Sequence, residues 1–201
     1  MSDVLGKGDA YYSKWLARLK PLVYFCYPTE NHGLECIPEG PAIICANHSN
    51  FIDPVLIGEA FGPAHHIHFM AKEELREKPV FGKFIENLGS FFVDRDSSTG
   101  IDAIRTTMKC VKSGDKVMIF PEGTRTEEDG MADAKTGAVR MAAKLKVPII
   151  PVYISRNKKF FHKAKLVVGA PIPVPAGSHE DYEAFAERLM ELIAELGREA
   201  P

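Results

Sequence analysis

Ala42-Ile43-Ile44-Cys45-Ala46-Asn47-His48-Ser49-Asn50-Phe51-Ile52-Asp53-Pro54 decides how the chain folds. An apolar strand, Ala42–Ala46, runs straight into a polar turn, and Asp53-Pro54 forms a normal pair for starting a helix. Strand, turn and helix in that order make the first half of a βαβ unit. The polar turn then sits at the carboxyl end of a strand, where α/β proteins place their sites.

Working outward, short β-rich runs alternate with helical patterns along the rest of the chain. The predicted strands are Ala42–Ala46, His66–Met70, Phe91–Val93, Lys116–Phe120, Pro148–Ile154 and Lys165–Gly169. Ile101, Ile104, Met108 and Val111 recur at helical spacing before Ser113-Gly114, and Ala138–Lys146 forms a second crossover helix. The pattern predicts a doubly wound α/β domain with a largely parallel sheet. Ser178 three positions before Asp181 starts an amphipathic helix with Tyr182, Phe185, Leu189 and Ile193 on its inner side, and Gly197 is the expected stop.

The first 28 residues read as a separate amphipathic segment ahead of a domain spanning 29–201. On a helical wheel Tyr12, Trp15, Leu16, Leu19, Leu22 and Val23 fall within about 140°, with Lys14, Arg18 and Lys20 outside that arc. Such a helix suits a lipid surface, with aromatic rings at the headgroup boundary and cations on its flanks. It equally suits docking on the domain's own core, and Pro21 is expected to kink or end it.

At 201 residues with 45% hydrophobic and 26% charged side chains, the composition is that of one globular domain. A net charge of −2 excludes a general pull toward nucleic acid. Four cysteines without C-x-x-C spacing predict reduced thiols and hence a cytoplasmic protein. No run reaches the roughly 18–20 apolar residues that span a bilayer, so membrane contact is expected to be peripheral, on the inner face of the cell membrane. His65-His66-Ile67-His68 lacks a carboxylate or cysteine at ligand spacing and is assigned a structural role; no metal is predicted.

Chemistry concentrates at three strand ends. A turn between His48 and Asp53 can bring the carboxylate to one imidazole nitrogen, leaving the other to take a proton from a hydroxyl. Phe120-Pro121-Glu122-Gly123-Thr124-Arg125 joins a turn glycine, a hydroxyl and a cation, a combination that can hold a phosphate. Gly89-Ser90-Phe91-Phe92-Val93-Asp94-Arg95 ends another strand with an arginine.

These segments resemble the blocks of the glycerolipid acyltransferase family, the 1-acyl-sn-glycerol-3-phosphate (lysophosphatidic acid) acyltransferases. Asn47–Asp53 matches N-H-x-x-x-x-D, Gly89–Arg95 resembles G-x-[IV]-F-[IV]-x-R with Phe91 as the departure, Phe120–Arg125 matches F-P-E-G-[TS]-R, and Val147–Val152 matches V-P-[IV]-[IV]-P-V. The resemblance covers roughly residues 30 to 170. It implies a mostly parallel sheet flanked by helices, the glycerol-3-phosphate acyltransferase-like fold, and transfer of an acyl group from acyl-CoA or acyl-carrier protein to a lysophospholipid acceptor at a membrane surface. His48 would be the general base and Asp53 its orienting partner. Arg95, Glu122, Gly123, Thr124 and Arg125 would bind the acceptor's glycerol phosphate; Lys72 is a further phosphate candidate, and Lys135 and Gly137 look like a family pair. No covalent intermediate, metal or redox cofactor is implied. Glycerol 3-phosphate, another lysophospholipid, and a non-catalytic lipid-binding role are the alternatives. A G-x-S-x-G elbow, which a hydrolase of this class would carry, is absent from the sequence.

Overall fold

The structure, a computed structural model, describes residues 8–87, 89–93, 101–126 and 134–199. Seven described strands form one sheet: β1 (Thr29–His32), β2 (Ala42–Ala46), β3 (Ile67–Lys72), β4 (Phe91–Val93), β5 (Lys116–Ile119), β6 (Ile149–Ile154) and β7 (Ala164–Val168). Their order is β1-β7-β6-β2-β5-β3-β4. The pairs β2–β5, β2–β6, β3–β5 and β3–β4 are parallel, while β6 and β7 run antiparallel. β2, β3, β4, β5 and β6 therefore end on the same edge of the sheet. That edge carries the site.

Six described helices flank the sheet: α1 (Gly8–Cys26), α2 (Asp53–Phe61), α3 (Phe81–Asn87), α4 (Ile101–Lys112), α5 (Gly137–Leu145) and α6 (His179–Glu199). The central strands β2 and β5 are buried along their whole length, as their unbroken apolar runs require. Alternate residues feed two cores. Ile43, Cys45, Val117 and Ile149 pack under α4, α5 and α6, with Leu189 and Ile193 from the last helix. Ala42, Ile44, Met118 and Ile150 pack on the other face beneath α1 and α2. The period-2 alternation of a strand divides these side chains between faces.

Several expectations are corrected. The polar edge strand β1, with sequence TENH, pairs parallel with β7 and was not foreseen. Pro21 does not end α1, which continues to Cys26. Gly197 lies inside α6, and its lack of a side chain serves packing: a Cβ there would stand 2.4 Å from the Tyr153 ring. The start of α6 behaves as read, with the Asp181 amide donating to Ser178 Oγ at 3.2 Å and the Ser178 amide donating to Asp181 Oδ2 at 2.8 Å. Along α1, Tyr12, Leu16 and Val23 are buried against the domain, so most of the apolar arc docks on the protein's own core. Among the described residues no helix is long and apolar enough to cross a membrane.

Candidate active site

β2 delivers the first group of residues. Asn47, immediately after the strand, is buried, and its amide clamps both backbone groups of Ile154: Nδ2 donates to the carbonyl at 2.7 Å and Oδ1 accepts from the amide at 2.8 Å. The side chain thus extends the β2–β6 ladder past the last backbone pair and sets where His48 begins. His48 Nδ1 lies 2.9 Å from Asp53 Oδ2, and the imidazole stacks on Phe120 with centroids 3.9 Å apart. Asp53 opens α2, and its Oδ2 also accepts from the Ser49 and Asn50 amides, both at 2.8 Å. With the carboxylate as acceptor, Nδ1 carries the proton and Nε2 is the nitrogen left for chemistry.

Asp53 has a partner on its other oxygen. Lys158 Nζ stands 2.6 Å from Oδ1, with both side chains wholly buried, and lies 3.0 Å from Ser49 Oγ. Burial works to raise the Asp53 carboxyl, but the His48 hydrogen bond, the Lys158 charge and the Asn50 amide outweigh it and hold the carboxyl below its ordinary value. Burial pushes the Lys158 amine down, against the pull of Asp53. The result is a His–Asp–Lys row in which the carboxylate stays ionised.

β5 delivers the second group. Gly123 adopts φ +69°, and its amide donates to the Phe120 carbonyl at 3.0 Å, closing the turn. Lys135 crosses over this glycine; a Cβ on Gly123 would stand 2.8 Å from Lys135 Cε and 3.0 Å from its Nζ. That contact gives a physical meaning to the Lys135 resemblance. Thr124 and Arg125 are exposed, and the Arg125 guanidinium sits 3.8 Å above the exposed Phe51 ring. Glu122 differs from expectation. It is buried, it forms an ion pair with Arg156, and its Oε2 accepts from Thr126 Oγ1 at 2.8 Å and from the His48 amide at 3.3 Å. Its carboxylate is occupied in tying the β5 turn to the β2 turn and β6, and it does not face outward.

Arg156, just past β6, is the hub of that tie. Beside Glu122 it donates to the Thr126 carbonyl and Oγ1, each at 2.8 Å, and to the His48 carbonyl at 3.4 Å. Arg156 and Lys158 were missed as site residues in the sequence. The signal available was their place just beyond an apolar strand, the position that singled out His48 and Arg125. Lys72 lies exposed at the end of β3, which is separated from β2 by β5. Arg95 lies outside the described residues.

The histidine tract braces the turn before β4. Both His68 ring nitrogens face acceptors, the Gly89 carbonyl at 2.7 Å and Asp115 Oδ2 at 2.9 Å, and His66 stacks between Tyr12 and His68. Ligand-type atoms of His66, His68 and Asp115 come within 4.8 Å of one another, the one such group among the described residues. Next to the Gly123 turn a cavity of about 650 Å³ opens between β5, α4 and α5, lined by Met70, Ile104, Ile119, Ala138, Met141 and Tyr182, with Gly123 and Lys135 at its polar part.

A family model described as Acyltransferase matches residues 29–155. The chain belongs to the acyltransferase family. Among the relatives of this acyltransferase is the Bacillus subtilis 1-acyl-sn-glycerol-3-phosphate acyltransferase, 36% identical over 77% of this chain and 80% of that protein. The Saccharomyces cerevisiae protein of the same description is 29% identical over 83% of this chain, which spans 59% of the yeast protein's length. Among solved structures, the 1-acyl-sn-glycerophosphate acyltransferase PlsC from Thermotoga maritima superposes with a TM-score of 0.69 at 27% identity, over 96% of this chain and 81% of that one. The shared architecture agrees with the mostly parallel α/β sheet expected from the sequence.

Proposed function

We propose that this acyltransferase transfers a fatty acyl group from a thioester donor to the free hydroxyl of 1-acylglycerol 3-phosphate, giving phosphatidic acid and a thiol. The observation that carries the reading is the His48–Asp53 dyad stacked on Phe120, with the Gly123 turn and an apolar cavity that Phe120 also lines beside it. Phosphate, reacting hydroxyl and acyl chain each find a suitable environment there, within one edge of the sheet.

In this reading the acceptor phosphate lies against the Gly123–Arg125 turn, held by Arg125, the Thr124 hydroxyl, backbone amides and Lys135, with Arg95 and Lys72 as further cations. Glu122 acts through Arg156 by fixing the turn. His48 Nε2 takes the hydroxyl proton as the oxygen attacks the thioester carbonyl, forming a tetrahedral adduct. Asp53 stabilises the imidazolium through Nδ1, and Lys158 keeps the carboxylate ionised and in place. Collapse of the adduct breaks the C–S bond, and the imidazolium proton passes to the thiolate, a ready leaving group because a thiol's pKa is about 8.5. The acyl chain occupies the cavity beneath α4 and α5. No covalent acyl-enzyme is needed. The protein works peripherally at the cytoplasmic face of a membrane, where its acceptor resides.

Thiol release from acyl-CoA and acyl-carrier-protein donors, with lysophosphatidic acid or glycerol 3-phosphate as acceptor, tests this. Lysophosphatidic acid-dependent release that falls by about 10²–10⁴ in His48→Ala is expected, the range for a lost general base. Release equal in wild type and variant, or dependent only on glycerol 3-phosphate, overturns the base or the acceptor respectively.

A further inference from the structure

With Tyr12, Leu16 and Val23 committed to the core, the face of α1 that the sequence offers to lipid is mostly spent. What remains outside is the end of the helix. Leu22 is 61% exposed and Phe25 69%, one turn apart. They do not stand alone. The loop between β6 and β7 folds against this end, its Phe161 amide donating to the Cys26 carbonyl at 2.8 Å. Phe161 meets Phe25 edge to face at 5.4 Å, and Phe160 lies 4.7 Å from Tyr27. Phe160 and Phe161 are themselves 58% and 64% exposed. Burying a side chain of this size is worth about 1.5–3 kcal/mol, so three phenylalanines gathered in water form a surface suited to a partner.

The charge around them is predominantly positive. The same loop exposes Lys159 and Lys163, and α1 exposes Lys14, Arg18 and Lys20. From Ala134 to His179 the chain contains no acidic residue, although its net charge is −2. Glu30 stands 4.0 Å from Lys163, and Lys20 acts on the Glu59 carboxylate. The root of the loop is Lys158, buried on Asp53, so the loop that carries Phe160 and Phe161 springs from the reactive centre.

We propose that Leu22, Phe25, Phe160 and Phe161, with Lys159 and Lys163, form the surface that docks on an anionic bilayer, the rings entering the headgroup boundary and the lysines meeting lipid phosphates. The occupant is lipid because the patch combines bulky apolar rings with cations, and because the acceptor must pass from a bilayer to the neighbouring His48. The proposal rests on the reading of a lysophospholipid acceptor. An acidic carrier protein is the competing occupant.

Full-length wild type, Phe25→Ser/Phe160→Ser/Phe161→Ser and Lys159→Glu/Lys163→Glu are compared in sedimentation with phosphatidylcholine vesicles, with and without phosphatidylglycerol. Turnover is measured on vesicle-borne acceptor and on a short-chain acceptor kept monomeric, and melting confirms that each variant is folded. Wild type should prefer the anionic vesicles. The aromatic variant should lose at least about tenfold in vesicle binding, and the charge variant about the same on anionic vesicles only, with turnover on monomeric acceptor within about twofold of wild type. Unchanged vesicle binding in both folded variants overturns the proposal. So does a defect confined to the KM for acyl-carrier protein, which assigns the surface to the carrier, or an equal loss on the monomeric acceptor, which assigns it to the reaction site. Vesicle binding that depends on the patch in a protein without acyl transfer would sink the acceptor reading and leave the surface standing.

Discussion

Lys158→Met tests whether the buried lysine is part of the reactive centre. Asp53 Oδ2 accepts from His48 and two amides, whereas Oδ1 meets the Lys158 ammonium, with both side chains wholly buried. Removing one member of a buried pair leaves an uncompensated charge, costing about 3–5 kcal/mol. Part of this is offset, since the variant no longer buries an ammonium that burial already pushes down, so the lower end of about 3 kcal/mol applies. At about 2–4 °C per kcal/mol for a chain of this size, the melting temperature should fall by about 6–12 °C. The sign with pH follows from Asp53, whose carboxyl the fold holds below 3.8. A depressed carboxyl adds stability that is present above its unfolded value and lost as pH falls through the folded value. The deficit of the variant should therefore be widest near neutral pH and shrink in acid. Adding Asp53→Asn removes the orphaned charge, so the double variant should melt above Lys158→Met. Calorimetry across pH reads these outcomes. A single variant that melts within about 1 °C of wild type, or a double variant no more stable than the single, refutes the role given to the pair.

Three further outcomes are expected. Glu59, buried between α2 and α1, has its carboxyl pushed up from 4.5 to about 7 by desolvation, against the pull of Lys20; a raised carboxyl weakens the fold progressively as pH climbs from its unfolded value toward 7 and the loss is complete above that, so Glu59→Gln should raise the melting temperature at pH 8 and do much less at pH 5. Gly123→Ala meets a left-handed backbone and Lys135, so it should raise the acceptor KM several-fold, measured by steady-state kinetics, with a cost of about 1–2 kcal/mol in stability. Burial pushes the Cys45 thiol far up and the Cys110 thiol to about 12; native protein should bind a thiol reagent at the half-exposed Cys26 and Cys36 and acquire the other two labels on unfolding, as mass spectrometry would show.

Much of the fold was legible because most of its strands are largely buried apolar runs. Ala42–Ala46 and Phe91–Val93 have the bounds read from the sequence, since an apolar run between polar turns leaves a strand few alternatives. β1 escaped because TENH lies at the sheet edge, is only half buried, and draws its stability from pairing with β7, more than 100 residues away. Gly197 looked like a helix stop because nothing local reveals that Tyr153 needs the space. Within the site, His48 and Asp53 could be paired by their short separation. Glu122 could not be assigned its buried place, nor Lys158 and Arg156 theirs, because each is defined by a partner in another βα unit. Lys158 and Lys159 are chemically the same residue, and only the fold turns one inward and leaves the other in solvent.

The Asn47 clamp bears on how this protein folds. Asn47 to Ile154 and Ser49 to Arg156 are contacts across 107 residues, and the His48 carbonyl reaches Arg156 across 108. Loops of that length close late, after local helices and hairpins have formed. A nascent chain still lacking β6 can hold His48 and Asp53 in one turn but has neither Lys158 nor the clamp. In refolding experiments, recovery of turnover should trail recovery of helical signal, making catalysis the natural reporter of the final closure of the sheet.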